Sequence, residues 1–129
     1  MSEKLGIYKC EICGNIIQVL ISGEGELICC SQPMKKLEPQ KDSSELGEKH
    51  APKYEELDSK KFVNVKTHPM TNEHYIQFIE TQSKDKNSLF LKYFTPNEIP
   101  QTDISFMGKD ICSVEYCNIH GLWGEDNND

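Results

Sequence analysis

Ile111-Cys112-Ser113-Val114-Glu115-Tyr116-Cys117-Asn118-Ile119-His120-Gly121 changes character partway along. Its first seven residues put Cys112, Val114 and Tyr116 on one face and Ser113, Glu115 and Cys117 on the other, which is the period of a strand. Asn118 to Gly121 is turn material. It carries a histidine three positions after a cysteine, a spacing at which one loop can aim both side chains at one ion. Cys112 lies opposite Cys117 and is expected to be a buried small apolar residue.

Working outward, the rest of the second half also reads as β. Phe62-Val63-Asn64-Val65-Lys66 puts Val63 and Val65 on one face, Ser88 to Phe94 is rich in strand formers, and Asp103-Ile104-Ser105-Phe106-Met107 alternates. Asp85-Lys86-Asn87, Thr95-Pro96-Asn97 and Gly108-Lys109-Asp110 supply turns between these runs. Short strands at such spacing predict an antiparallel sandwich or barrel. No stretch has sustained helical periodicity.

Composition narrows the function classes. The 129 residues are 36% hydrophobic and 27% charged, as in an ordinary globular chain. The longest apolar run, Ile16 to Ile21, is broken by Gln18 and is far short of a membrane span. Met1 to Gly6 has no apolar core of a secretory signal, so the cytoplasm is the expected location. The net charge is −7, and all 14 basic residues are lysines. Without arginine, an acidic chain is poorly equipped to bind nucleic acid. Gly124 to Asp129 reads as a frayed acidic end.

Six cysteines are many for a chain expected in a reducing compartment, and there they point to metal rather than disulfides. Cys10 and Cys13 form C-x2-C, fifteen residues follow, and Cys29 and Cys30 are adjacent. Four thiolates make a tetrahedral site for zinc or a single iron, and spacing alone leaves the two open. Residues 1–38 are too few for a self-sufficient core, so a metal staple is expected, wrapped by Ile16 to Ile21 and Leu27-Ile28. The adjacent pair departs from the usual second C-x2-C, and aiming both side chains at one ion distorts the site. Residues 39–48 are polar, with a proline and a glycine, and read as a linker. The domain that follows, 49–129, holds every histidine.

His50, His68, His74 and His120 all lie in turn-like segments near Pro, Asn or Gly. Imidazole suits iron, zinc and copper. Cys117 and His120 could share an ion, and His68 and His74 flank a turn that could reach it. Spacing alone does not decide between ligands and ordinary loop histidines.

These segments together resemble a known family. Cys10-x2-Cys13 with Cys29-Cys30, then Glu48-Lys49-His50-Ala51-Pro52, His68-Pro69-Met70, His74-Tyr75 and Tyr116-Cys117-Asn118-Ile119-His120-Gly121-Leu122-Trp123, look like desulfoferrodoxin, the two-iron form of superoxide reductase. The resemblance spans nearly the whole chain. It implies an all-β protein: a desulforedoxin-like N-terminal module followed by an immunoglobulin-like antiparallel β-sandwich. It implies one iron held by Cys10, Cys13, Cys29 and Cys30, where zinc can substitute. It implies a second iron with His50, His68, His74 and His120 equatorial and Cys117 axial. Superoxide is the implied substrate, a rubredoxin-like carrier the donor and a homodimer the assembly.

In that frame Lys49 attracts the anion and helps protonate the product, and Glu48 fills the vacant position on ferric iron. Backbone N–H groups of Ile119 and His120 tune the Cys117 sulfur. Asn118, Tyr116 and Trp123 fix the loop or fill core. Two rivals are a non-catalytic two-iron electron-transfer or redox-sensing protein, and a zinc-stapled binding module.

Overall fold

A computed structural model of the chain describes residues 2–41 and 45–125, without the side chains of Glu45, Leu46 and Glu48. It divides into two compact units, Met1–Glu38 and Pro39–Asp129. Among the described residues no helix is long and apolar enough to cross a membrane.

The first unit contains β1 (Ile7–Lys9), β2 (Ile16–Gln18), β3 (Ile28–Cys29), β4 (Gln32–Pro33) and β5 (Lys35–Leu37). A three-stranded antiparallel sheet runs in the order β2-β1-β5, and β3 and β4 make a separate hairpin. The core is small: Leu5, Ile7, Tyr8, Cys10 and Val19 are buried. The apolar run expected to wrap the cysteines does so only in part. Val19 turns inward, while Leu20, Ile21 and Ile28 are exposed.

The second unit contains a short helix α1 (Glu45–His50), then β6 (Lys53–Leu57), β7 (Lys60–Asn64), β8 (Ile76–Ser83), β9 (Leu89–Tyr93), β10 (Gln101–Asp103), β11 (Ile111–Cys117) and β12 (Gly121–Gly124). Two antiparallel sheets, β10-β7-β6 and β12-β11-β8-β9, divide the strands as an immunoglobulin-like sandwich does. Val63 and Val65 from one side meet Ile76, Ile79 and Cys117 from the other, with Phe94 and Ile104 completing a buried cluster. The β6–β7 hairpin turns through Asp58 and Ser59, both at positive φ, the mirror-image turn whose twist matches paired strands.

Several expectations are corrected. Two parts of the segment expected as a linker are structured, since Gln40 bridges Trp123 in parallel and α1 begins at Glu45, while residues 42–44 lie outside the described residues. Six helical residues leave too few turns for a periodic pattern, and Pro52 discourages any extension beyond Ala51. The run Asp103–Met107 is not one strand. β10 ends at Asp103, whose Oδ1 accepts hydrogen bonds from the backbone and hydroxyl of Ser105 and starts a 3₁₀ turn, Ser105–Met107. Cys112 is exposed, because the core face of β11 is the one carrying Ser113, Glu115 and Cys117. The start of the supposed frayed end is ordered: Gly124 closes β12, and the Glu125 carboxylate accepts from Ser113 N–H. Asp126 to Asp129 lie outside the described residues.

On that core face Glu115 is fully buried, and neither carboxylate oxygen has a hydrogen-bond partner among the described residues. Burial pushes its pKa from 4.5 up to about 9. The unfolded carboxyl loses its proton above the lower value and the folded one keeps it until the higher. Stability contributed by this group therefore falls as pH rises between them, by about 3 kcal/mol near pH 7. Glu115→Gln should flatten this dependence in denaturant unfolding of the metal-loaded protein across pH 5 to 8. Equal slopes in the two proteins would contradict it.

Candidate metal centres

In the first unit the turn after β1 begins at Cys10 and is closed by Gly14 N–H donating to Cys10 O at 2.9 Å and Cys10 N–H donating to Asn15 O at 2.9 Å. Gly14 sits at φ +86°, where a Cβ would meet nothing within 4 Å, so backbone conformation and not space calls for glycine. From the facing hairpin come Cys29 and Cys30. The adjacent pair is accommodated by left-handed backbone at Cys30 (φ 53°) and Ser31 (φ 64°).

The four sulfurs all lie within 4.8 Å of one another, and Cys13 Sγ and Cys29 Sγ are 3.6 Å apart. Thiolates at the corners of a tetrahedron are about 3.8 Å apart for a metal–sulfur length of about 2.3 Å. The thiols resist ionising together. The Cys13 N–H and its neighbours hold Cys10 at about 6, whereas hydrogen bonding to Cys13 and Cys10 pushes Cys30 up to about 12. A bound cation removes that conflict, so the donor set fits a metal.

The second group gathers from three stretches of the second unit. His50 is the last residue of α1, His68 and His74 lie between β7 and β8, and Cys117 and His120 close β11 and open the turn to β12. Four imidazoles form a ring: centroid separations are 4.6 Å for His50–His68, 4.7 Å for His68–His74, 5.1 Å for His74–His120 and 4.8 Å for His120–His50. The His50–His74 diagonal is 6.2 Å. Each neighbouring pair is edge-on, with interplanar angles from 69° to 85°.

Cys117 lies beside the ring, its Sγ 3.9 Å from His120 Nδ1 and buried. Donor atoms of His50, His74, Cys117 and His120 all fall within 4.8 Å of one another; His68 is outside that mutually close set while still closing the ring. His120 Nδ1 and His50 Nε2 are 3.1 Å apart, close to the ~3.0 Å of neighbouring nitrogens on one metal at about 2.1 Å.

Protonation suits ligation. Burial pulls His68 down to about 4, so its ring is neutral near pH 7. Its Nδ1 lies 2.6 Å from Pro69 O, which assigns the proton there and leaves Nε2 with a lone pair. That Nε2 and His74 Nε2 are buried with no hydrogen-bond partner among the described residues. A metal ion is the partner such atoms lack. Burial raises the Cys117 thiol, while the N–H groups of His120 and Ile119 pull the other way; the His120 N–H is 3.3 Å from Sγ.

The loops are tied to each other. The β8–β11 register shifts between Tyr116 and Cys117, a bulge that re-aims the cysteine. Asn118 Oδ1 accepts from Tyr75 N–H at 2.9 Å and its Nδ2 donates to Glu73 O at 3.1 Å, joining the His74 loop to the Cys117 loop. Trp123 stacks on His50 at 4.9 Å and donates from Nε1 to His120 O at 3.1 Å. Lys49 is exposed on α1 next to His50, and the side chain of Glu48 lies outside the described residues. Spacing pointed to none of what Gln40 does: its Nε2 donates to His120 O at 2.8 Å from within the supposed linker.

Residues 2–37 match the N-terminal domain of desulfoferrodoxin, and residues 42–126 match desulfoferrodoxin. The desulfoferrodoxin of Desulfarculus baarsii is 42% identical over 129 residues, covering 98% of this chain and 100% of that one. A desulfoferrodoxin homolog of Archaeoglobus fulgidus is 41% identical over 125 residues, covering 95% and 98%. The superoxide reductase of Treponema pallidum superposes with a TM-score of 0.66 at 22% identity, covering 96% of this chain and 98% of that one, a likeness of fold.

Because each donor set lies wholly inside one unit, the centres should be separable. Cys13→Ser should lower bound metal by one ion per chain and leave the absorption of the second centre unchanged. Loss of both metals, by element analysis, would contradict independent centres.

Proposed function

The chain belongs to the desulfoferrodoxin family, and on that footing we propose that it is a superoxide reductase, converting superoxide to hydrogen peroxide with one electron and two protons. Iron, when bound in the second unit, would supply the electron and a positive centre for the anion. His50, His68, His74, His120 and Cys117 are the residues that would hold it. Cys10, Cys13, Cys29 and Cys30 hold the other iron, at a site zinc can also fill.

The closed ring of four edge-on imidazoles beside a buried thiol carries the proposal. Neutral imidazoles add no charge, and a single thiolate leaves a bound divalent ion positive overall. An anionic substrate is then attracted, although the whole chain is acidic at −7. His74 and His120 are half-buried, while His50 and His68 are buried, so the ring has one side toward solvent.

Lys49 is the local cation. Its exposed ammonium, one residue from His50, draws the anion toward the ring and orders a water from which the reduced product takes a proton. The N–H groups of His120 and Ile119 hold the sulfur of Cys117 in place and moderate its electron donation. We further propose a small rubredoxin-like carrier as electron donor, a homodimer as the assembly and the cytoplasm as the location.

Lys49→Ala should slow the second-order reaction with superoxide about tenfold and weaken its dependence on ionic strength, with both metals retained. Pulse radiolysis or stopped flow at several salt concentrations measures both. An unchanged rate with an unchanged salt slope would remove Lys49 from the mechanism.

A further inference from the structure

Two hydrogen-bond donors converge on one carbonyl in the loop that carries Cys117 and His120. Trp123 Nε1–H donates to His120 O at 3.1 Å, and Gln40 Nε2–H donates to the same oxygen at 2.8 Å. Neither donor belongs to the loop. Trp123 sits inside β12, 1% exposed, with its ring stacked on His50 at 4.9 Å and 25°. Gln40 is fixed by its own backbone: its N–H donates to Leu122 O at 2.9 Å, and its carbonyl accepts from Gly124 N–H at 3.0 Å. Its amide also donates to Leu122 O at 3.2 Å, so the side chain spans the start of β12. Gly121 takes φ +88°, and a Cβ there would come within 3.2 Å of Gln40 Nε2, so the turn leaves room for that amide.

We infer that Trp123 and Gln40 are positioning residues for the second metal centre, holding the His120 peptide so that its N–H stays on the Cys117 sulfur and its ring stays against His50. The inference rests on the proposed iron centre and extends it to two residues that touch neither substrate nor metal. Trp123 links two ring members 70 positions apart, stacking on one and bonding to the backbone of the other. Gln40 ties the segment preceding α1 to the same point. The consequence is electronic as well as structural. The N–H to sulfur bond, 3.3 Å here, withdraws density from a thiolate, and hydrogen bonds to sulfur raise the potential of a bound iron. Freeing the carbonyl lets the loop relax, lengthens that bond and lowers the potential.

Two variants test this on the iron-loaded protein. Trp123→Phe keeps an aromatic ring for stacking and removes the N–H donor. Gln40→Glu, at an exposed position, replaces the donating amide with oxygens that repel the His120 carbonyl. Gln40→Lys restores an N–H donor. Redox titration and the thiolate-to-iron absorption band are the readouts, with iron content measured alongside. A lower potential and a displaced band in Gln40→Glu and equally in the uncharged Trp123→Phe, with Gln40→Lys at the wild-type values and not above them, support the inference. If Trp123→Phe does not retain iron, the Gln40 pair decides. Wild-type potential and band in Gln40→Glu at full iron content overturn it. Absence of a thiolate-to-iron band in the wild-type protein overturns instead the iron centre on which it rests.

Discussion

Four imidazoles and a thiol crowded into one partly buried cluster are the constraint around which the second unit is built. Gathering four imidazoles and a thiol costs hydrogen bonds to water, and two ring nitrogens, Nε2 of His68 and of His74, find no replacement among the described residues. Left so, the cluster opposes folding; a cation at its centre would give those lone pairs a partner and make the cluster a staple. The first unit meets the same problem with four sulfurs whose ionisation is mutually opposed. Metal bound in either unit would therefore stabilise its folded structure.

The sandwich solves the placement problem by collecting loops at one end of its four-stranded sheet. β8 begins and β11 ends there, with Cys117 paired to Ile76 two residues past His74. β12 starts at the same end and returns Trp123 to His50. The long strands supply rigidity, while the donors sit in turns that can be aimed without disturbing the core. The bulge at Cys117 and the Asn118 bridge are the local devices that aim them.

Much of this was legible in the sequence, and the rest was hidden for physical reasons. β11 was readable end to end because its alternation has the period of a strand and a turn follows it. The four-cysteine group was readable because C-x2-C has few other uses in such a chain. The histidines were ambiguous singly and became specific only in combination with the family's motifs. The core face of β11 is not legible locally: Ser113 and Glu115 look like solvent residues and Cys112 like a buried one, yet the first two are buried and Cys112 is exposed. α1 is too short to show a period, and its ends are set by tertiary contacts and Pro52. Gln40 was invisible because its role depends on a parallel bridge to Trp123, far along the chain, which no local pattern records.

One iron in the second unit, proposed to be held by the imidazole ring and Cys117, should keep a position open to a small ligand. The most direct measurement is an anaerobic cyanide titration of the reduced, iron-loaded protein, followed by its spectrum. The account predicts that one cyanide binds per chain and that Cys13→Ser, lacking the first centre, binds the same amount. A reduced protein that takes up no cyanide, with iron present at the second centre, would contradict it.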